Sequence, residues 1–239
     1  MKGIMIIVIL LLIVPGECNQ QFTKAEKNFN SGKKNLRNKN YKGAIADFTK
    51  AIEFDTTNAE FYESRGVSKY LIQDYKGAIA DYYKAAQIEP ENPVNYESSG
   101  KARQVLRDHS GAIEDFSKAI EHHSWPYEDN YINRGISKLI LNDCQGAISD
   151  FSKAIELNSG LCKPYLKRGN ARELLHDCPG AIVDYNNAIE ICPENEEAYY
   201  HRGIAKIILG QKDAGCLDLI QARVLGHPQA YMALSIYCQ

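Results

Sequence analysis

The 239-residue chain is poor in several things. It holds one Trp, three Met and eight Pro, and no cysteine lies between Cys18 and Cys144. It also lacks a dominant charge: 28 Lys and Arg stand against 30 Asp and Glu, a formal net charge of −2. Binding nucleic acid needs an excess of cations to neutralise phosphates, so that class of partner is excluded. No apolar run beyond Val14 approaches the roughly 20 residues of a membrane span, which excludes a polytopic membrane protein. Asn-x-Ser/Thr never occurs, so glycosylation gives no sign of a eukaryotic secretory route. His-Glu-x-x-His, Cys-x-x-Cys, Gly-x-Ser-x-Gly and a Gly-rich phosphate loop are missing as well. No metal, cofactor or catalytic set is therefore expected. The neighbours His122 and His123 point in different directions on a helix and make a poor metal pair. What remains is ordinary globular composition, 44% hydrophobic and 24% charged, which excludes wholesale disorder.

The N-terminus reads as a leader. Lys2 supplies a positive charge, Ile4 to Val14 is unbroken apolar sequence, and Pro15-Gly16-Glu17 ends it. A charged start, a short apolar core and a small-residue exit describe a secretory signal peptide, with cleavage expected after Gly16. The alternative is a membrane-anchored lipoprotein acylated on Cys18. Glu17 opposes it, because a lipobox wants a small residue there. Residues 17–24 are expected as a linker. Any membrane contact would come through the leader or that acylation, and the protein is otherwise expected to be exported, periplasmic or secreted.

Beyond residue 24 the chain repeats itself. Gly-Ala-Ile begins at Gly43, Gly77, Gly111, Gly146 and Gly180, with spacings of 34, 34, 35 and 34. A second glycine series, Gly32, Gly66, Gly100, Gly135, Gly169 and Gly203, keeps step with it. Tyr62, Tyr96, Tyr131, Tyr165 and Tyr199 lie four residues before that series. Phe48, Tyr82, Phe116, Phe151 and Tyr185 follow Gly-Ala-Ile, and Ala51, Ala85, Ala119, Ala154 and Ala188 come three later. A fixed period of this length signals stacked supersecondary units.

These residues resemble the tetratricopeptide repeat. The six repeats run 25–58, 59–92, 93–126, 128–161, 162–195 and 196–229, with Tyr127 inserted. Departures fall at the ends: Asn28 replaces the first aromatic of repeat 1, and Gly215 and Leu219 replace the Ala and second aromatic of repeat 6. Terminal repeats of a stacked array are expected to be atypical. The resemblance implies an all-α solenoid, a right-handed superhelix of antiparallel helix pairs, with residues 230–239 as a capping helix. Asp74, Asp108, Asp143 and Asp177 precede each second helix, where a carboxylate can cap its free amides. Both glycine series are read as packing positions.

Charge also recurs with the period. Asp47, Asp81, Asp115, Asp150, Asp184 and Asp218 form one ladder; Arg65, Arg134, Arg168 and Arg202 form another; Lys69, Arg103, Lys138, Arg172 and Lys206 form a third. Regularity across repeats favours an inter-helix ion-pair scaffold over an anion site. In the repeat frame Cys162 opens one helix and Cys192 closes its antiparallel partner, so a bond between them is expected. Cys216 should face Cys238 on the cap. A Cys144–Cys178 bond is disfavoured because the repeat-to-repeat spacing strains disulfide reach. Such clustering fits an oxidising compartment.

In tetratricopeptide arrays the first helices line a groove. The resemblance places Glu60, Glu63, Val67, Tyr70, Glu97, Lys101, Ile132, Ile136, Lys163, Leu166, Asn170, Tyr200 and Ile204 along it. Asn133, Lys163 and Lys167 match the later part of the family's carboxylate clamp. Glu97 and Lys101 replace its first Lys and its Asn, so a chaperone carboxylate should be repelled. Tyr70 and Tyr200 are expected to be exposed anchors. The expected function is a non-catalytic scaffold holding a protein or peptide. The alternatives are a cysteine-rich envelope hydrolase, for which no nucleophile–base pair stands in register, and a purely structural envelope subunit.

Overall fold

The computed structural model describes residues 15–123 and 127–239. The expected leader lies outside these residues except for its last two positions, and the side chain of Cys18, the acylation site of the alternative reading, is not described. Among the described residues there are thirteen helices and no strand. None is long and apolar enough to cross a membrane. The chain divides into two compact units, one ending at Pro90 and one beginning at Glu91.

The first unit holds α1 (Pro15–Arg37), α2 (Tyr41–Phe54), α3 (Ala59–Leu71) and α4 (Tyr75–Ile88). The second holds α5 (Pro93–Val105), α6 (His109–His122), α7 (Glu128–Ile140), α8 (Cys144–Leu157), α9 (Cys162–Leu174), α10 (Cys178–Ile191), α11 (Glu196–Ile208), α12 (Lys212–Val224) and α13 (Ala230–Tyr237). Odd and even helices pair as hairpins, as the periodicity predicts. The expected linker is corrected: residues 17–24 are helical, part of α1. No Gly or Pro interrupts the sequence between Gly16 and Gly32, and buried Ala25 and Phe29 anchor the helix that the preceding residues extend.

The start of each second helix except α12 is set by one side chain. Asn40, Asp74, Asp108, Asp143 and Asp177 accept a hydrogen bond from the amides of Gly43, Gly77, Gly111, Gly146 and Gly180 at 2.9–3.2 Å. A Cβ on Gly146 would lie 2.1 Å from Oδ2 of the capping Asp143 carboxylate and 2.9 Å from Oδ1, the oxygen that accepts the amide. The Gly-Ala-Ile glycines therefore serve the cap, which corrects their reading as packing positions. Before each cap the chain turns through a left-handed residue: Lys39, Gln73, Arg107, Asn142 and His176 have φ between 59° and 66°. Gly210 fills that position in the last repeat, at φ 79°.

The other glycine series does pack. A Cβ on Gly169 would stand 2.5 Å from the ring of Tyr185, and Gly66 and Gly135 meet Tyr82 and Phe151 in the same way. These rings and the alanines at the repeat positions are fully or nearly buried. Each aromatic fills the hole that a missing side chain leaves on the facing helix. Both terminal departures have local reasons. In repeat 1 Phe29 supplies the aromatic one residue after Asn28, its ring 4.7 Å from Phe61 and 5.6 Å from Phe48. In repeat 6 a Cβ on Gly215 would sit 2.6 Å from the Gly203 carbonyl, so backbones meet where an aromatic elsewhere holds them apart.

The charge ladders join the two helices of each hairpin. Arg65 and Lys69 both bond Asp81; Arg134 and Lys138 bond Asp150; Arg168 and Arg172 bond Asp184; Arg202 and Lys206 bond Asp218, at 2.6–2.8 Å. The arginines also reach back to the preceding hairpin, donating to Thr49, Ser117, Ser152 and Asn186. In repeat 1 neutral Ser31 and Asn35 serve Asp47 instead.

Two buried amides, Asn95 on α5 and Asn130 at the same repeat position on α7, oppose stability. Asn130 on α7 is fully buried, yet neither its amide nitrogen nor its oxygen finds a hydrogen-bond partner among the described residues. Pro164 and Ala198 hold its place in the next two repeats. Removing an unsatisfied buried amide recovers its desolvation cost, so Asn130→Leu is expected to stabilise the protein by about 1–2 kcal/mol. Chemical denaturation monitored by circular dichroism checks it.

Candidate functional site

The side chains expected in the groove divide into those spent on packing and those left free. Ile132 and Leu166 are corrected: at 2% and 4% exposed they belong to the core. Ile136 is half-buried against Ala147, Phe151 and Ala171. Asn133 contributes its backbone carbonyl, which accepts from Gln104 on α5 at 2.8 Å. Glu97 and Lys101 form an ion pair with one another along α5. Lys163 is exposed.

In the first unit Glu60 is exposed, with Lys33 at 4.0 Å, and Glu63 and Val67 are half-buried. Tyr70 is half-buried rather than free, its ring edge-on to Tyr75 at 5.1 Å. Burial pushes the Glu63 carboxyl above its ordinary value, with Glu60 and Glu89 adding repulsion. A carboxyl raised in this way binds its proton more tightly folded than unfolded, so stability falls as pH rises past about 4.3. Glu63→Gln is expected to raise stability at pH 7 by roughly 0.2–1 kcal/mol, the range for partly exposed charges. Below pH 4, where Glu63 is neutral in both states, the difference should vanish. Thermal unfolding at the two pH values checks this.

The second unit brings more of the expected residues together. Lys167 on α9 bonds Glu197 on α11 at 2.8 Å, and the Asn170 amide donates to the same carboxylate at 3.2 Å. The Tyr185 hydroxyl lies 3.0 Å from the Asn170 oxygen and 2.8 Å from Glu173 Oε2. It carries one proton, and the carboxylate is the stronger acceptor. His201 Nδ1 sits 3.0 Å from Glu173 Oε2. Tyr200, expected to be exposed, instead stacks on His227 with centroids 4.0 Å apart.

Around this network lies a cavity of about 520 Å³ lined by Glu173, Tyr200, His201, Ile204, Gln229, Met232, Ala233, Ile236 and Tyr237. It is bounded by α9, α11 and α13. Burial alone would raise the Glu173 carboxyl, but the bond and charge of His201 and the Tyr185 hydroxyl outweigh it and hold the group below its ordinary value. Glu197 is likewise lowered, burial being outweighed by Lys167 and Asn170. Burial, then His201, pushes the His227 imidazole down against Glu196 and Glu197. Burial and then Glu173 raise the Tyr185 phenol.

Glu173, Glu197, His201, His227 and α13's lining residues were not among the expected site residues. Glu173 and Glu197 occupy groove positions of their repeats, so the frame held that signal. The contribution of α13 had none. That helix leaves Tyr231, Met232 and Ile236 exposed, unlike the polar outer face of an ordinary cap.

Two disulfides frame this end of the unit. Cys162 and Cys192 are bonded, with Cα atoms 6.0 Å apart, as are Cys216 and Cys238 at 5.8 Å. Cys144 and Cys178 are free thiols, buried at the starts of α8 and α10. Among the described residues no group of three His, Cys, Asp or Glu is placed to hold a metal.

Stacked helix hairpins in register define a helical-repeat protein. The repeats are of the tetratricopeptide kind: a family model described as TPR repeat matches residues 177–207, and the same 34-residue pattern recurs through the other hairpins. Solved structures are similar. YrrB, a TPR protein with an unusual peptide-binding site, is 21% identical, with a TM-score of 0.69 over 79% of this chain and 97% of that one. MamA is 25% identical, with a TM-score of 0.67 over 72% of this chain and 94% of its own. PilF of Pseudomonas aeruginosa is 16% identical, with a TM-score of 0.70 over 91% and 99%. No curated protein matches the chain.

Proposed function

We propose that the chain is an exported, non-catalytic scaffold that holds a peptide or protein segment on the first-helix face of its second unit. The observation carrying this reading is the recess between α9, α11 and α13. Its volume and mixed apolar and polar lining suit a ligand, and its residues lie outside the positions that the repeats share for packing. The peptide-binding site of YrrB supports the same kind of activity. Export rests on the two disulfides, which fit an oxidising compartment.

The test is selection of peptides from a random displayed library against the full chain, followed by titration. Tyr200→Ala is expected to weaken the selected peptides about tenfold or more, as loss of an aromatic anchor does, with the thermal midpoint measured alongside. Lys153→Ala, on an exposed position of α8, should leave affinity unchanged. Peptides that ignore Tyr200 yet respond to Lys153 would move the binding face to the second helices and overturn the proposal.

A further inference from the structure

The recess has a chemical bias that a general peptide groove does not need. We infer that it takes the side chain of an arginine or lysine from the bound segment, with Glu173 as counter-ion. The inference rests on the groove reading above and names the partner chemistry.

The repeat frame isolates the feature. The positions equivalent to Glu173 in other repeats hold Tyr70, Gln104, Leu139 and Ile207. Those equivalent to His201 hold Ser64, Ser98, Asn133 and Lys167. Scaffold charges recur from hairpin to hairpin, as the Asp184 ladder does. This carboxylate occurs once, and it faces a cavity.

Its bonding leaves capacity. Tyr185 and His201 both end on Oε2, and among the described residues Oε1 has no hydrogen-bond partner. Among the described residues no lysine or arginine lines the recess, and Lys167 is engaged by Glu197. An anionic ligand would meet Glu173 with Glu196 and Glu197 nearby. A purely apolar ligand would strip water from a carboxylate without replacing its hydrogen bonds, a costly exchange. A guanidinium or ammonium does replace them.

The walls suit the rest of such a side chain. Ile204, Met232 and Ile236 offer apolar surface to its methylene stem. Tyr200 and Tyr237 offer ring faces, which attract cations. Tyr200 is held in orientation by its stack on His227, so little order need be gained on binding.

The experiment is an amide-resolved NMR titration of the full, oxidised chain with three acetylated, amidated pentapeptides, Gly-Leu-X-Leu-Gly, where X is arginine, norleucine or glutamate. The arginine peptide is expected to shift the amides of Tyr200, Ile204 and Met232 saturably. It should bind about tenfold tighter than norleucine, the scale of a desolvated cation contact, with glutamate weakest. Glu173→Gln keeps an acceptor for Tyr185 and should bring arginine down to the norleucine affinity without changing norleucine. Met232→Lys, on an exposed position, gives an independent reading: it should repel the arginine peptide alone. If arginine and norleucine bind these residues equally, or the preference survives both substitutions, the basic side-chain inference is overturned while the groove reading stands. If no peptide shifts any amide of α9, α11 or α13, both fall.

Discussion

Replacing Asp184 by alanine is expected to lower the stability of the second unit by about 3–5 kcal/mol, the cost of breaking a buried charge cluster from one side. Asp184 is fully buried and accepts from both Arg168 and Arg172. Its loss leaves two partly buried guanidinium groups without their shared carboxylate. Arg168 also donates to Ser152 on the preceding hairpin, so damage should spread across the α8–α9 boundary. Asp47 is the internal control. It holds the same repeat position, is only half-buried, and is served by the neutral Ser31 and Asn35. Asp47→Ala removes two hydrogen bonds and strands no charge, so its expected cost is about 1–2 kcal/mol. Urea denaturation of both variants decides the matter. Equal losses would mean that the ladder acts through shape and hydrogen bonding rather than charge.

That ladder was legible in the sequence because it repeats. A role shared by every hairpin leaves the same residue type at the same spacing, and the Asp, Arg and Lys series could be paired before any coordinates. The arginine's second bond, to Thr49 or Ser152 on the previous hairpin, was not legible. Its acceptor alternates among Thr, Ser and Asn and belongs to a different repeat from the donor.

The candidate site is harder to read for the opposite reason. Binding side chains differ between repeats, so no period marks them. Ile132 and Leu166 occupy a position that elsewhere holds Glu63, Glu97 and Tyr200. Whether such a residue faces solvent or the next helix depends on the neighbours' size, and the repeat frame alone gives the same answer for all five. The recess also needs α13, a short helix followed directly by Cys238, which is bonded to Cys216 on α12. The paired cysteines could be anticipated from the frame. The cavity between α9, α11 and α13 could not.

Reduction of Cys216–Cys238 should therefore do more than lower stability. The bond closes a loop of 22 residues, for which the loss of unfolded-chain entropy corresponds to about 3 kcal/mol. An eight-residue helix is far below the length that holds itself together in water, and only Ala230 and Ala233 of α13 are buried. Just beyond the helix, Lys212 donates to the Gln239 backbone oxygen at 2.9 Å. Without the disulfide, α13 is expected to fray or leave its seat, taking Met232, Ile236 and Tyr237 away from the recess. The Cys162–Cys192 bond closes a loop of 30 residues inside repeat 5. It should contribute a similar stabilisation without holding α13. Hydrogen exchange on Cys216→Ser/Cys238→Ser and Cys162→Ser/Cys192→Ser separates the two roles. The first pair should lose amide protection in α13 while α9 and α10 keep theirs; the second should loosen α9 and α10 and spare α13. Protection of α13 that persists in the first pair would show that apolar packing against α12 seats the helix, and ligand binding to the recess should then be indifferent to redox state. If α13 does loosen, reduction should weaken any ligand that contacts Met232 or Tyr237, coupling occupancy of the site to the oxidising power of the compartment.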